Sequence, residues 1–242
     1  MIPKKIAASI MCADPFAMGK DIEQLEKAGV EYLHCDIMDG RFVPNLMLST
    51  EIVNAAGKRY KTPLDIHLMV ERPENVLPWY ALKAGDVVSV HFESTQHVQR
   101  VLSMIRKSGA TPALALNPAT PLECIREVLP DIGMLLLMTV NPGYAAQRLV
   151  PETLNKICRA RRMLDELGYD NMPIEVDGNC SLENIPKMLD MGADVFVVGS
   201  SSVFDPKLGI EKGVAAVRAL FPGPGERDWL DRTGRRAAGM QA

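Results

Sequence analysis

The sequence predicts an α/β fold, a single (β/α)8 TIM barrel with a short C-terminal tail, and three observations lead there. Short β-rich runs alternate with longer amphipathic ones, eight pairs before residue 221. The β-rich runs are continuously apolar more than alternating, as strands of a parallel sheet covered by helices must be. The first strand–helix turn lacks GxGxxG, so the doubly wound open sheet, the competing parallel architecture, gains no support.

In chain order the predicted strands are IAASIM from Ile6, YLHCDIMD from Tyr32, PLDIHLMV from Pro63 and VVSVHF from Val87. TPALALN from Thr111, MLLLMTVNPG from Met134, PIEVDGN from Pro173 and VFVVGSSSVF from Val195 complete the eight. A helix-like segment follows each, for example FAMGKDIEQLEKAG from Phe16 and PETLNKICRARRMLDELG from Pro151. Gly29, Gly85, Gly109 and Gly168 read as helix stops. Residues 1–221 therefore form the barrel domain. Residues 222–242 read as a flexible tail or an assembly arm in which Trp229 and Leu230 could dock on a neighbour.

Composition excludes several function classes. The 242 residues are 47% hydrophobic and 24% charged, enough to bury a large core. A net charge of −3, with basic residues clustered only at Arg232, Arg235 and Arg236, argues against nucleic acid and anionic membranes. No run of 18 apolar residues crosses a bilayer, and the stretch after Lys4 and Lys5 is too short for a signal peptide. Cys12, Cys35, Cys124, Cys158 and Cys180 are odd in number and lack a CxxC pair, which reads as reduced cytoplasmic thiols. Oligomeric state is open; a homo-oligomer is compatible with the chain.

The polar residues inside the apolar strands carry the chemistry. Catalytic groups of such a barrel sit at the C-terminal strand ends, facing the axis. Side chains two apart share a face, so His34, Asp36 and Met38 point inward and Cys35 outward. His67 on the third strand and Asp177 on the seventh converge on the same mouth. Either residue alone reads as readily as a core histidine or a turn aspartate; the set of four does not. Two buried carboxylates need cations or donors close by, and Lys and Arg lie mostly in the helical segments. One divalent metal ion is the simplest neutraliser, and two imidazoles with two carboxylates suit Zn, Fe(II), Mn or Co without selecting one. His91 reads as a supporting or packing residue, and His97 as exposed.

The other end of the mouth reads as a phosphate cup. The sixth strand runs into NPGYAAQ (Asn141 to Gln147), the seventh into Gly178, and the eighth into GSSS from Gly199. Small residues let backbone N–H groups approach an anion, and loops after the last strands of a barrel commonly hold phosphate. No Lys or Arg is placed there. The loop RFVPNLMLS after the second strand is expected to close over the site.

With these residues in place, the chain resembles the ribulose-phosphate 3-epimerase family of the ribulose-phosphate-binding barrels. The resemblance rests on SIMCAD from Ser9, HCDIMDGRFVPN from His34, PLDIHLMV from Pro63 and HFE at His91. LNPATP from Leu116, MTVNPGYAAQ from Met138, IEVDGNC from Ile174 and VVGSSSVF from Val197 continue it, over about residues 6–220. It implies that His34, Asp36, His67 and Asp177 hold the metal and that Asp36 and Asp177 are the acid/base pair. It also implies substrate contacts at Ser9 and His67, an apolar lining of Met38, Met69 and Met138, and a ketose phosphate as substrate. The phosphate is then expected against Gly143, Tyr144, Ala145, Ala146, Gly178, Asn179, Gly199, Ser200 and Ser201. Two departures bear on substrate length. Ala145 and Ala146 stand where relatives commonly have a glycine, and Asp177-Gly178-Asn179-Cys180 with Cys12 is more similar to the allulose-6-phosphate 3-epimerase branch. A pentulose and a hexulose phosphate both remain open. A decarboxylase on the same barrel would need a DxKxxD run, which the sequence lacks.

Overall fold

Leu33, Cys35 and Ile37 leave the second strand toward the helices, whereas His34, Asp36 and Met38 face the barrel axis, and this division repeats around the ring. In the computed structural model, which describes residues 2–222, the elements follow in order. They are β1 (Lys5–Ser9), α1 (Met18–Lys27), β2 (Tyr32–Asp39), β3 (Leu46–Met47), α2 (Thr50–Arg59), β4 (Leu64–Met69), α3 (Pro73–Val76) and β5 (Val87–His91). Then come α4 (Val98–Lys107), β6 (Thr111–Leu116), β7 (Met134–Met138), α5 (Glu152–Glu166), β8 (Ile174–Asp177), α6 (Asn184–Asp190), β9 (Val195–Val198) and α7 (Ile210–Arg218).

Eight parallel strands close the ring, β1 pairing with both β9 and β2, so this is a (β/α)8 barrel. The two-residue β3 adds antiparallel to the end of β2, Met38 opposite Met47, and closes the loop that runs between them. The predicted tail, with Trp229 and Leu230, lies outside the described residues. No described helix is long and apolar enough to cross a membrane.

The large core lies between the strands and the helices, with Leu25, Leu33, Ile66, Leu102, Leu114 and Phe196 essentially unexposed. Burying each such side chain is worth about 1.5–3 kcal/mol. Ala7, Val87, Ala113, Met134, Val195 and Val197 plug the barrel floor.

Two crossovers differ from the sequence expectation. Between β6 and β7 the chain makes 3-10 turns over Leu122–Asp131 and no α-helix, with Pro130 near the end of the segment denying the last turn an α-type hydrogen bond. Between β4 and β5, α3 is a single turn that runs into a 3-10 turn at Leu77–Trp79. Gly85 consequently ends no helix; its φ of +97° makes the tight turn into β5. Gly29, Gly109 and Gly168 do follow α1, α4 and α5.

Candidate active site

Parallel register sets the height of each inward side chain. Ser9 lies opposite His34, Asp36 opposite His67, and Met38 opposite Met69. Asp177 sits between Met138 and Val197. The strands thereby bring the four predicted ligands together. His34 Nε2 is 3.3 Å from Asp36 Oδ1 and 3.9 Å from Asp177 Oδ2. His67 Nδ1 is 3.4 Å from Asp36 Oδ1 and 3.3 Å from Asp177 Oδ2.

These residues fit a metal ion. A tetrahedral ion with bonds of about 2.0–2.2 Å sets neighbouring donors about 3.3–3.6 Å apart, and three of the four separations lie within about 0.1 Å of that range. His34 Nε2 and His67 Nδ1 are buried without a hydrogen-bond partner among the described residues. Both orphaned nitrogens face the carboxylates, so the cluster can hold a cation.

The electrostatics make the same demand. Burial favours a neutral His34, yet Asp65 and Asp36 outweigh it and raise its pKa well above the usual value. Burial likewise opposes protonation of His67, and Asp177 and Asp36 override it. Burial would keep Asp36 neutral, but the two histidines hold it well below the ordinary carboxylate range. Asp36 is therefore an ionised base at neutral pH. Its Oδ2 accepts a 2.6 Å hydrogen bond from the Ser9 hydroxyl, which fixes the carboxylate's rotation.

Each histidine has a second partner beneath the mouth. His34 Nδ1 meets Asp65 Oδ2 at 2.5 Å, both residues fully buried. Glu175, also fully buried, lies beyond Asp65; burial and the Asp65 charge push its pKa well above the carboxylate range. His67 Nε2 meets His91 Nε2 at 2.8 Å, and His91 Nδ1 meets Glu93 Oε2 at 3.3 Å. His97 is exposed at the start of α4 and takes no part.

Above the cluster lies a pocket lined by Ser9, Asp36, Met38, Met69, Met138 and Asp177, and on its other wall by Gly143–Ala146, Gly178, Asn179 and Gly199–Ser201. No Lys or Arg lines it among the described residues. His34 and His67 are fully buried under its floor, so His67, expected also to touch substrate, meets the pocket only through the cluster.

The wall formed by the loops after β7, β8 and β9 is shaped by backbone conformation. Gly143 and Gly178 have φ of +118° and +120°, and the non-glycine residues Ala146 and Asn179 have +60° and +49°. A Cβ on Gly178 would stand 2.5 Å from Val140 Cγ2 and 2.9 Å from the Val140 nitrogen, so only glycine fits. The Asn179 amide donates to the Gln147 carbonyl and accepts from Asn184 Nδ2, tying the β7 and β8 loops together. The loop after β2 reaches the same wall: Asn45 Nδ2 donates to the Gly143 carbonyl at 2.8 Å and Tyr144 Oη to the Pro44 carbonyl at 2.7 Å.

Sequence reasoning missed Asp65, Glu175 and Met11. The first two obey the same rule that found His34 and Asp36, since each lies two residues before an identified ligand on its strand. Met11 lines the pocket from a 3-10 turn after β1, where no strand periodicity could mark it.

Comparison with known proteins agrees with this geometry. Residues 5–204 match the ribulose-phosphate 3 epimerase family. The chain is 41% identical to a ribulose-phosphate 3-epimerase of Bacillus subtilis over 81% of its length and 91% of that protein. It is 40% identical to one from Synechocystis, over 88% and 92%. The 3-hexulose-6-phosphate synthase of Salmonella typhimurium superposes with a TM-score of 0.64 at 14% identity, covering 89% of this chain and 97% of that one; it shares the fold. Sequence match and barrel architecture agree: the chain belongs to the ribulose-phosphate 3-epimerase family.

Proposed function

We propose that the protein is a cytoplasmic, metal-dependent ketose-phosphate 3-epimerase that interconverts D-ribulose 5-phosphate and D-xylulose 5-phosphate. One observation carries this reading. Asp36 on β2 and Asp177 on β8 lie three strands apart around the ring, and their carboxylates meet across two imidazoles on the floor of a single pocket. Two carboxylates approaching from different sides can remove a proton from one face of a carbon and return one to the other. The curated relatives carry the matching activity in their names.

The residues divide the work. Asp36 and Asp177 are the acid/base pair for C3 inversion through a cis-enediolate, and such positioned groups contribute about 10²–10⁴-fold. His34, Asp36, His67 and Asp177 are the ligands of one divalent ion (Zn, Fe(II), Mn or Co), which when bound supplies Lewis acidity worth several kcal/mol. Met38, Met69 and Met138 form an apolar bed that keeps water from the reacting carbons. Ser9 steadies Asp36. Main-chain donors at Gly143–Ala146, Gly178–Asn179 and Gly199–Ser201 receive the phosphate, since the wall offers no cationic side chain.

A second reading concerns substrate length. Ala145, Ala146 and the loop tie made by Asn179 reshape the phosphate wall, and D-allulose 6-phosphate, one carbon longer, is the alternative substrate. Proton NMR in D2O of the metal-loaded protein, with each ketose phosphate in turn, separates the two. Deuterium wash-in at C3 is expected faster with the pentulose. Faster exchange with the hexulose would reassign the substrate, and no C3 exchange with either would overturn the epimerase reading.

A further inference from the structure

We propose that His91 and Glu93 are positioning residues that fix the tautomer of His67, leaving its Nδ1 lone pair free to face a metal. This rests on reading His67 as a ligand through Nδ1. The centroids of His67 and His91 are 5.0 Å apart while the facing Nε2 atoms are only 2.8 Å apart, so the rings meet edge to edge through nitrogen. One proton lies between two such nitrogens. For a neutral His67 facing a metal, either His67 donates and keeps a bare Nδ1, or His91 donates and His67 carries its proton on the ligand side.

Glu93 decides between them. Its Oε1 accepts the Asn117 backbone N–H at 2.9 Å and the Thr120 hydroxyl. Its Oε2 is left facing His91 Nδ1 at 3.3 Å. A carboxylate only accepts, so that nitrogen carries the hydrogen, and a neutral His91 then presents a lone pair at Nε2. His67 then donates from Nε2, so the proton facing Asp36 and Asp177 at Nδ1 is the one a cation displaces to gain that lone pair. Glu93 is kept ionised: burial opposes charge, but hydrogen bonds from His91, Thr120 and Asn117 prevail and bring its pKa to about 2. Phe42 packs on the His91 ring with centroids 4.7 Å apart and shields it. Outer partners of this type alter metal affinity by about 10–100-fold.

The test pairs a spectroscopic readout with metal affinity. Long-range ¹H–¹⁵N NMR should show His91 neutral and protonated at Nδ1, with or without Zn²⁺. A His91 protonated at Nε2 overturns the proposal. In Zn²⁺ competition against a chromophoric chelator, His91→Leu should weaken binding about 10–100-fold, whereas His91→Gln, which can accept from His67 and donate to Glu93, should largely restore it. Leu binding as tightly as wild type, or Gln failing as badly as Leu, overturns the proposal. Should His91→Leu not fold, Glu93→Leu from the outer end serves: retention of the His91 Nδ1–H form in it is the overturning result. Failure of the wild-type protein to bind Zn²⁺ sinks the ligand reading instead, and the NMR tautomer still decides the relay.

Discussion

His34, Asp36, His67 and Asp177 reach the barrel mouth as side chains on strands, whereas residues 143–146, 178–179 and 199–201 face the same pocket mainly with backbone. The two sides answer to different physics. On the side proposed to hold the metal, what matters is which atoms a side chain ends in, and strand register supplies the position. On the side proposed to hold the phosphate, what matters is where main-chain N–H groups point, and positive φ at Gly143, Ala146, Gly178 and Asn179 supplies the shape. Substitutions on the first side should remove chemistry and cost no more stability than the bound ion supplies; substitutions on the second should disturb backbone shape and binding together.

The sharpest way to break this contrast is Asp36→Asn. The amide oxygen can still accept from Ser9, so the chain should still fold, with a Tm lowered by about as much as loss of the ion lowers it, roughly 5–10 °C. Turnover should fall by at least about 10²–10⁴-fold, the contribution of one positioned acid/base group. Near-normal turnover would end the two-carboxylate mechanism.

Metal removal tests the same side without changing a covalent bond. An ion present at about 100 times its Kd stabilises the folded state by about 2.7 kcal/mol. For a chain of this size, stripping it with a chelator should lower Tm by roughly 5–10 °C. Activity should vanish with it and return on adding back a divalent ion. An unchanged Tm and rate in chelator would show that the cluster holds no functional ion.

Gly178→Ala probes the other side. Its methyl would meet Val140 at 2.5 Å, at a φ of +120° that side chains avoid. Overpacking of that kind costs about 1–3 kcal/mol, before any strain is added. The expected result is a lower Tm together with a raised KM for the ketose phosphate. Loss of turnover with unchanged Tm and KM would mean that the loop acts through Asp177 and not through the phosphate.

The same contrast explains what was legible in the sequence. The ring of strands was readable because every outward position must be apolar, and His34 and Asp36 stood out against that background. Asp65 and Glu175 were equally visible in spacing, yet each was eclipsed by the ligand two residues on. The φ of Ala146 was not readable, because alanine disfavours that region and three-dimensional contacts impose it, whereas Asn179 is of a type that enters it more readily. The 3-10 crossover at Leu122–Asp131 was misjudged for a related reason: its amphipathic pattern suits a helix, and Pro130 near its end denies the last turn an α-type hydrogen bond.

Ala146→Gly is the mildest substitution and the most pointed, because two terms oppose each other. An alanine held at φ +60° carries strain of about 1–2 kcal/mol that glycine would release. Glycine also loosens the unfolded chain, which costs about 0.4–1 kcal/mol on folding. The two nearly cancel, so Tm should move by no more than a few degrees. Substrate binding lacks that cancellation. A methyl crowding a phosphate on these amides would be removed outright, so KM should fall while kcat, set by Asp36 and Asp177, stays within about twofold. A KM that falls for D-ribulose 5-phosphate but not for D-allulose 6-phosphate would show that the methyl tunes substrate length. An unchanged KM for both would place the phosphate away from Ala146 and shift the anion side toward Gly178 and the loop after β9.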